Sequence, residues 1–149
     1  MATNTIDDAI ARVQAIVHAM TSVKFKSWPD YPVENADPFP MSIAYLGAGQ
    51  VMFGTADSVY NFPSINVEFH FQRINLGKTY KDINAVALEF GNRLAGDPTL
   101  DGNVDTIQSG ADSPITYSVR PFDWGAVKSQ MLLFVIPFKT LQSPQATST

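Results

Sequence analysis

The chain has 149 residues, 45% of them hydrophobic, which is enough to bury a core within one domain. Its 16% charged residues fall short of the roughly 25% usual in globular proteins, so a sparsely charged surface with hidden parts is expected. There is no cysteine, which excludes disulfides, thiol catalysis and thiolate metal sites, and the net charge of −4 with ten scattered Lys and Arg argues against a clustered basic grip on nucleic acid.

The N-terminal stretch shows no basic region followed by an apolar run, so no signal peptide is expected. The longest apolar run, Met131 to Phe138, is too short to span a bilayer. The first predicted element is a helix over Thr5 to Met20, with Ile6, Ile10, Val13, Val17 and Met20 making one apolar stripe. Thr5 and Asp8 read as a capping box. From Lys24 to Pro40 the chain turns proline-rich and extended, with Trp28, Tyr31 and Phe39 among Pro29, Pro32, Pro38 and Pro40.

A strand is expected at Met41–Leu46, a turn at Gly47 and Gly49, a short returning strand at Gln50–Phe53, and a loop over Thr55–Pro63. Ile65 to Arg73 is the clearest strand: Ile65, Val67, Phe69 and Phe71 alternate with Asn66, Glu68, His70 and Gln72, which predicts one buried face and one wet face. A second helix over Tyr80–Leu94 follows a Thr79/Asp82 capping box, carries Ile83, Val86, Ala87, Phe90 and Leu94 as its stripe, and stops at Gly96. Three strands close the domain at Val104–Gln108, Ile115–Phe122 and Gln130–Thr140. The order predicts an α+β fold, a mostly antiparallel sheet with two main helices packed on one face. It occupies residues 1–141, with 142–149 as a polar, flexible tail.

Catalytic chemistry is hard to find in this pattern. His18 lies off the first helix stripe and reads as solvated, while His70 falls on the polar side of its strand and reads as a sheet-surface or interface residue. Gly47-Ala48-Gly49 follows a strand, but Met52 stands where a dinucleotide loop needs its third glycine. Asp101, Asn103, Asp105 and Asp112 have calcium-loop spacing, but Thr106 replaces the required glycine, so a turn entering a strand is the better reading. No catalytic residue, cofactor or metal is therefore expected. The aromatic and apolar residues Trp28, Tyr31, Val51, Met52, Phe53 and Trp124 sit in turn-rich segments, where they either cap the core or anchor subunit interfaces. The 47–63 stretch in particular is expected to gain its order from partners.

The proline-rich approach Phe39-Pro40-Met41-Ser42-Ile43-Ala44-Tyr45 and the junction Leu94-Ala95-Gly96-Asp97-Pro98-Thr99-Leu100-Asp101-Gly102-Asn103-Val104 carry a resemblance, together with the amphipathic first helix and the final hairpin. Over roughly residues 5–141 the layout resembles the tail-terminator proteins of long-tailed bacteriophages, similar to the minor tail protein U group. The resemblance implies a structural virion protein, not an enzyme. It implies a hexameric ring, assembled in the host cytoplasm, that caps the tail tube and docks a neck or head-completion protein. DNA would pass through its hole without specific binding, and no membrane is involved. Tail-completion and head–tail joining proteins share this punctuation, and a small α+β enzyme or ligand-binding domain remains the alternative from another class.

Overall fold

The structure is a computed structural model that describes residues 5–34, 38–53, 59–104, 106–107 and 114–142. Helix α1 spans Thr5–Ala19, and its buried residues Ala9, Ile10, Val13, Ile16, Val17 and Met20 follow the expected stripe. Gln14 is also buried. Its amide Nε2 donates to the Pro29 and Ser42 carbonyls at 2.7 and 3.1 Å, while Ser42 Oγ donates back to Oε1 at 3.1 Å. One side chain thus ties the helix, the proline-rich segment and the first strand together, and both polar atoms of the Gln14 amide are satisfied.

Strands β1 (Met41–Phe53) and β2 (Val59–Gln72) form a long antiparallel hairpin, and β5 (Val127–Gln142) pairs along the other side of β2. The far edge of β5 is shared. β4 (Thr116–Trp124) pairs with its first half, and the two-residue β3 (Thr106–Ile107) pairs with Phe138 and Lys139. Every ladder is antiparallel, so the α+β class with a mostly antiparallel sheet holds. The proline-rich segment lies along the inner half of β1: the Ser42 and Ala44 amides donate to the Ser27 and Pro29 carbonyls at 2.9 and 3.2 Å.

Helix α2 (Leu76–Ala95) crosses the same sheet face as α1. Ile83, Val86, Phe90 and Leu94 join Ile65, Val67, Phe69, Phe71, Leu132, Phe134, Ile136 and Phe138 in the core. At its centre Phe69, Phe90 and Phe134 meet edge to face, with centroids 4.8 to 6.0 Å apart, the geometry that aromatic quadrupoles favour.

Several boundaries differ from the sequence expectation. Helix α2 begins four residues early, because Asn75 is the cap and its side chain accepts the Lys78 amide at 3.2 Å. Thr79 instead donates its hydroxyl to the Gln72 carbonyl. Gly47 makes no turn: β1 runs through it as a bulge between Leu46 and Ala48. A Cβ there would come within 2.5 Å of the Asn66 side chain, which is why glycine stands at the bulge. The residues expected as loop up to Pro63 are strand from Val59 onward, and residues 54–58 lie outside the described residues. The expected tail also lies outside them, apart from Gln142, which ends β5 opposite Val59. Of the predicted 104–108 strand, Asp105 and Gln108 are likewise not described.

The two helices are joined end to side by Glu89. Its carboxylate accepts the Thr21 and Ser22 amides at 2.8 to 3.1 Å and the Arg93 guanidinium at 2.9 Å, while Arg93 also donates to the Ala19 carbonyl. Burial alone would raise the Glu89 pKa. The Ser22, Thr21 and Arg93 hydrogen bonds outweigh it and bring it down to about 2. A depressed carboxylate stabilises the fold above its ordinary value, and that contribution disappears as pH falls from 4.5 to about 2. Urea titrations between pH 6 and pH 2 should therefore show a shallower acid loss in Glu89→Gln than in the parent chain. Phe69→Ala should cost about 3–5 kcal/mol in the same titration at neutral pH, through the cavity left between Phe90 and Phe134.

Candidate functional site

The sheet face turned away from the helices holds a continuous polar chain. Tyr45 comes from β1, Glu68 and His70 from β2, and Ser129 from β5; the register sets Met131 opposite His70 and Ser129 opposite Gln72. The Tyr45 hydroxyl donates to Glu68 Oε2, and Glu68 Oε1 lies 2.8 Å from His70 Nε2. His70 Nδ1 lies 3.2 Å from Ser129 Oγ, and that hydroxyl donates to the Phe122 carbonyl at 3.1 Å. Both ring nitrogens of His70 therefore have a hydrogen-bond partner. The wet face predicted for β2 is not wet here: His70 and Ser129 are fully buried, as are Met41 and Ile43 beside them. The physical reason is β4, whose Phe122 and Trp124 rings each sit 5.1 Å from the imidazole.

These environments move two titrations in opposite directions. Burial, then the hydrogen bond and charge of Glu68, push the Tyr45 phenol up to about 12. Burial by itself would raise Glu68, but the His70 and Tyr45 hydrogen bonds outweigh it and hold the carboxyl below its ordinary value. Ser129, His70 and Glu68 share the composition of a nucleophile, base and orienting acid. Burial closes that chemistry off, because no solvent reaches Ser129 or His70 and neither is open to a substrate. What the chain does is cross-link β1, β2, β5 and the β4 carbonyl under an aromatic cover.

The candidate interface residues fall in three places. Val51, Met52 and Phe53 stand on the outer half of β1, 58%, 54% and 83% exposed. Past the Gly47 bulge, Val51 and Phe53 share the helix side of the sheet through their partners Asn61 and Val59, and Met52 points to the other side. Trp28 and Tyr31 sit on the proline-rich segment beside α1, both exposed, and the Trp28 ring lies 4.4 Å from His18. His18 is exposed, as its position off the stripe predicts. Trp124 stands differently from the expectation of an outward anchor: it is half-buried against His70 and Phe122, and its buried indole N–H finds no acceptor among the described residues. The sequence reading passed over Leu46, Leu88 and Tyr117, which are 47%, 68% and 62% exposed. Leu88 carried a signal, since it lies off the stripe formed by Ile83, Val86, Phe90 and Leu94.

The outer hairpin is unusual in its charge. From Met41 to Val67 the sequence has one charged residue, Asp57, where the chain average of 16% would place about four in 27. Strand edges open to solvent normally carry lysines, prolines or inward charges that prevent pairing with another chain. Here the edge of β1 from Leu46 to Phe53 has no strand partner among the described residues and no proline, lysine or other charged residue, only the bulge at Gly47.

The turn after α2 is closed by its own groups: Asp97 accepts the Asp101 amide at 2.8 Å and pairs with Arg12 at 2.8 Å. Leu100, Asp101 and Gly102 all take positive φ there. No set of three or more metal-ligating side chains gathers among the described residues, and Asp105 and Asp112 lie outside them. Among the described residues no helix is long and apolar enough to cross a membrane. Compared with known proteins, the chain matches no family model and no curated sequence.

Tyr45→Phe removes the hydroxyl donor from the Glu68 carboxylate and should cost about 1 kcal/mol at pH 7. A phenol with a raised pKa adds stability that is whole below its ordinary value of 10 and is lost as pH rises through about 12. The difference in unfolding free energy between parent and variant should therefore shrink between pH 10 and pH 12, measured by urea titration at each pH.

Proposed function

We propose that this chain is a structural ring subunit of a bacteriophage virion, the tail terminator that caps the tail tube and joins it to the neck. The observation that carries the reading is the charge-poor outer hairpin, a strand edge free of charge and proline with exposed apolar residues on both of its faces. Large exposed apolar surfaces on small proteins mark association sites. A hairpin that reaches beyond its own helices is suited to meet other chains.

The resemblance in the 39–45 and 94–104 passages supplies the kind of assembly, a closed hexamer in which each subunit uses two different patches. In this reading the protein resides in the virion tail or neck. DNA passes the ring without a specific grip, which suits a chain of net charge −4. The buried serine and histidine and the half-buried glutamate support a non-catalytic role, because their hydrogen bonds link neighbouring strands away from solvent.

Light scattering on the purified chain should give a mass near six times 16.3 kDa, about 98 kDa, with rings by negative stain. Added tail tubes should recruit the chain to their ends, and binding to heads or connectors in preference to tubes would move the assignment to another neck component. A chain that neither forms rings nor binds tubes would sink the proposal.

A further inference from the structure

Between α2 and β4 the protein carries a groove whose walls and floor are Ile83, Ala87, Leu88, Gly91, Tyr117 and Val119. Its outer side is open, because β4 pairs only with β5 among the described residues and leaves its other edge unmatched. Gly91 stands inside α2 with an ordinary helical backbone, and a Cβ added there would meet nothing within 4 Å. Glycine inside a helix is destabilising relative to alanine, and nothing among the described residues requires it at this position. Close approach of another backbone would require it. Leu88, one turn before, is 68% exposed on the same groove.

We infer that this groove receives the outer β1 strand of a second copy of the chain, residues 46–53. This contact rests on the ring reading and specifies its two patches. Three observations select the occupant. First, β1 and β4 lie at opposite edges of the β1-β2-β5-β4 array and, since every ladder is antiparallel, run in opposite directions. Level with Thr116, across β5 and β2, stands Tyr45, so a second copy must be displaced along the strand direction to bring its residues 46–53 beside β4. In that position β1 runs antiparallel to β4 and continues the same ladder pattern. Secondly, the bulge at Gly47 leaves Val51 and Phe53 on the helix side of the sheet, the side on which Tyr117 and Val119 line the groove. Thirdly, both surfaces are neutral: none of the groove-lining residues is charged, and neither is any residue of β1. In a chain of net charge −4, copies repel one another over the remaining surface but not across this pair.

The chain has no cysteine, so single thiols can report the contact. Val51→Cys and a tagged Leu88→Cys chain, each alone and then mixed, are treated with a short bis-maleimide at concentrations where the parent chain self-associates. The expected result is a mixed 51–88 product in at least tenfold excess over 51–51 and 88–88 products. Gly91→Met should weaken self-association at least tenfold while the melting temperature stays level or rises, which separates a lost contact from a lost fold. Predominance of either symmetric product, absence of cross-linking, or a parent chain that stays monomeric overturns the inference. Rings that form without the mixed product sink this contact and leave the ring reading standing. A mixed product in copies that never close or bind tubes keeps the contact and sinks the terminator reading.

Discussion

A strand advances about 3.3 Å per residue and a helix only 1.5 Å, and the layout of this protein follows from that difference. The 16 residues of β5 span about 50 Å, whereas the 20 residues of α2 span about 30 Å. Two helices therefore cover only part of one face of the sheet. The covered part holds the aromatic core around Phe69, Phe90 and Phe134 and extends to Ile136 and Phe138 of β5, and the uncovered part is an arm formed by the outer half of β1 along the start of β2. Helices long enough to cover the arm would have removed the surface on which the functional proposal rests.

The face without helices solves its burial problem with strands alone. A polar chain across three strands is costly to bury unless every member finds a partner, and this one does from Tyr45 to Ser129. The β4–β5 hairpin supplies the cover by laying Phe122 and Trp124 over His70. The order of this end of the sheet, with its hydrogen-bonded chain and ring contacts, contrasts with the bare outer arm. One end of the sheet is finished internally, and the outer half of β1 is left open.

Much of this was legible where the signal was local. The stripes of α1 and α2 and the alternation of Ile65, Val67, Phe69 and Phe71 gave the elements and the covered face. The errors came from partners far away in the chain. His70 alternates as an outward residue should, and the distant Phe122 and Trp124 reverse its exposure. Gly47 and Gly49 look like turn residues, yet Ser64 and Pro63 pair with Ala48 and Gly49 and keep that stretch in the sheet. Thr79 has the spacing of a cap, but the Gln72 carbonyl takes its hydroxyl and Asn75 caps instead. For the candidate site, Val51, Met52 and Phe53 could be found because apolar residues stood in a segment rich in glycine. Tyr117 and Val119 could not, since an alternating strand conceals which face is covered.

The pairing of β2 with β5 also sets the order in which the chain can fold. β1 and β2 are neighbours in sequence and can zip as a hairpin early, but Val59 must wait for Gln142 and His70 for Met131. During that interval the charge-poor hairpin has neither of its covers and presents two open edges. Refolding yield should therefore depend steeply on protein concentration, and the same strand that suits a finished assembly makes the unfinished chain prone to stick to its neighbours on the ribosome.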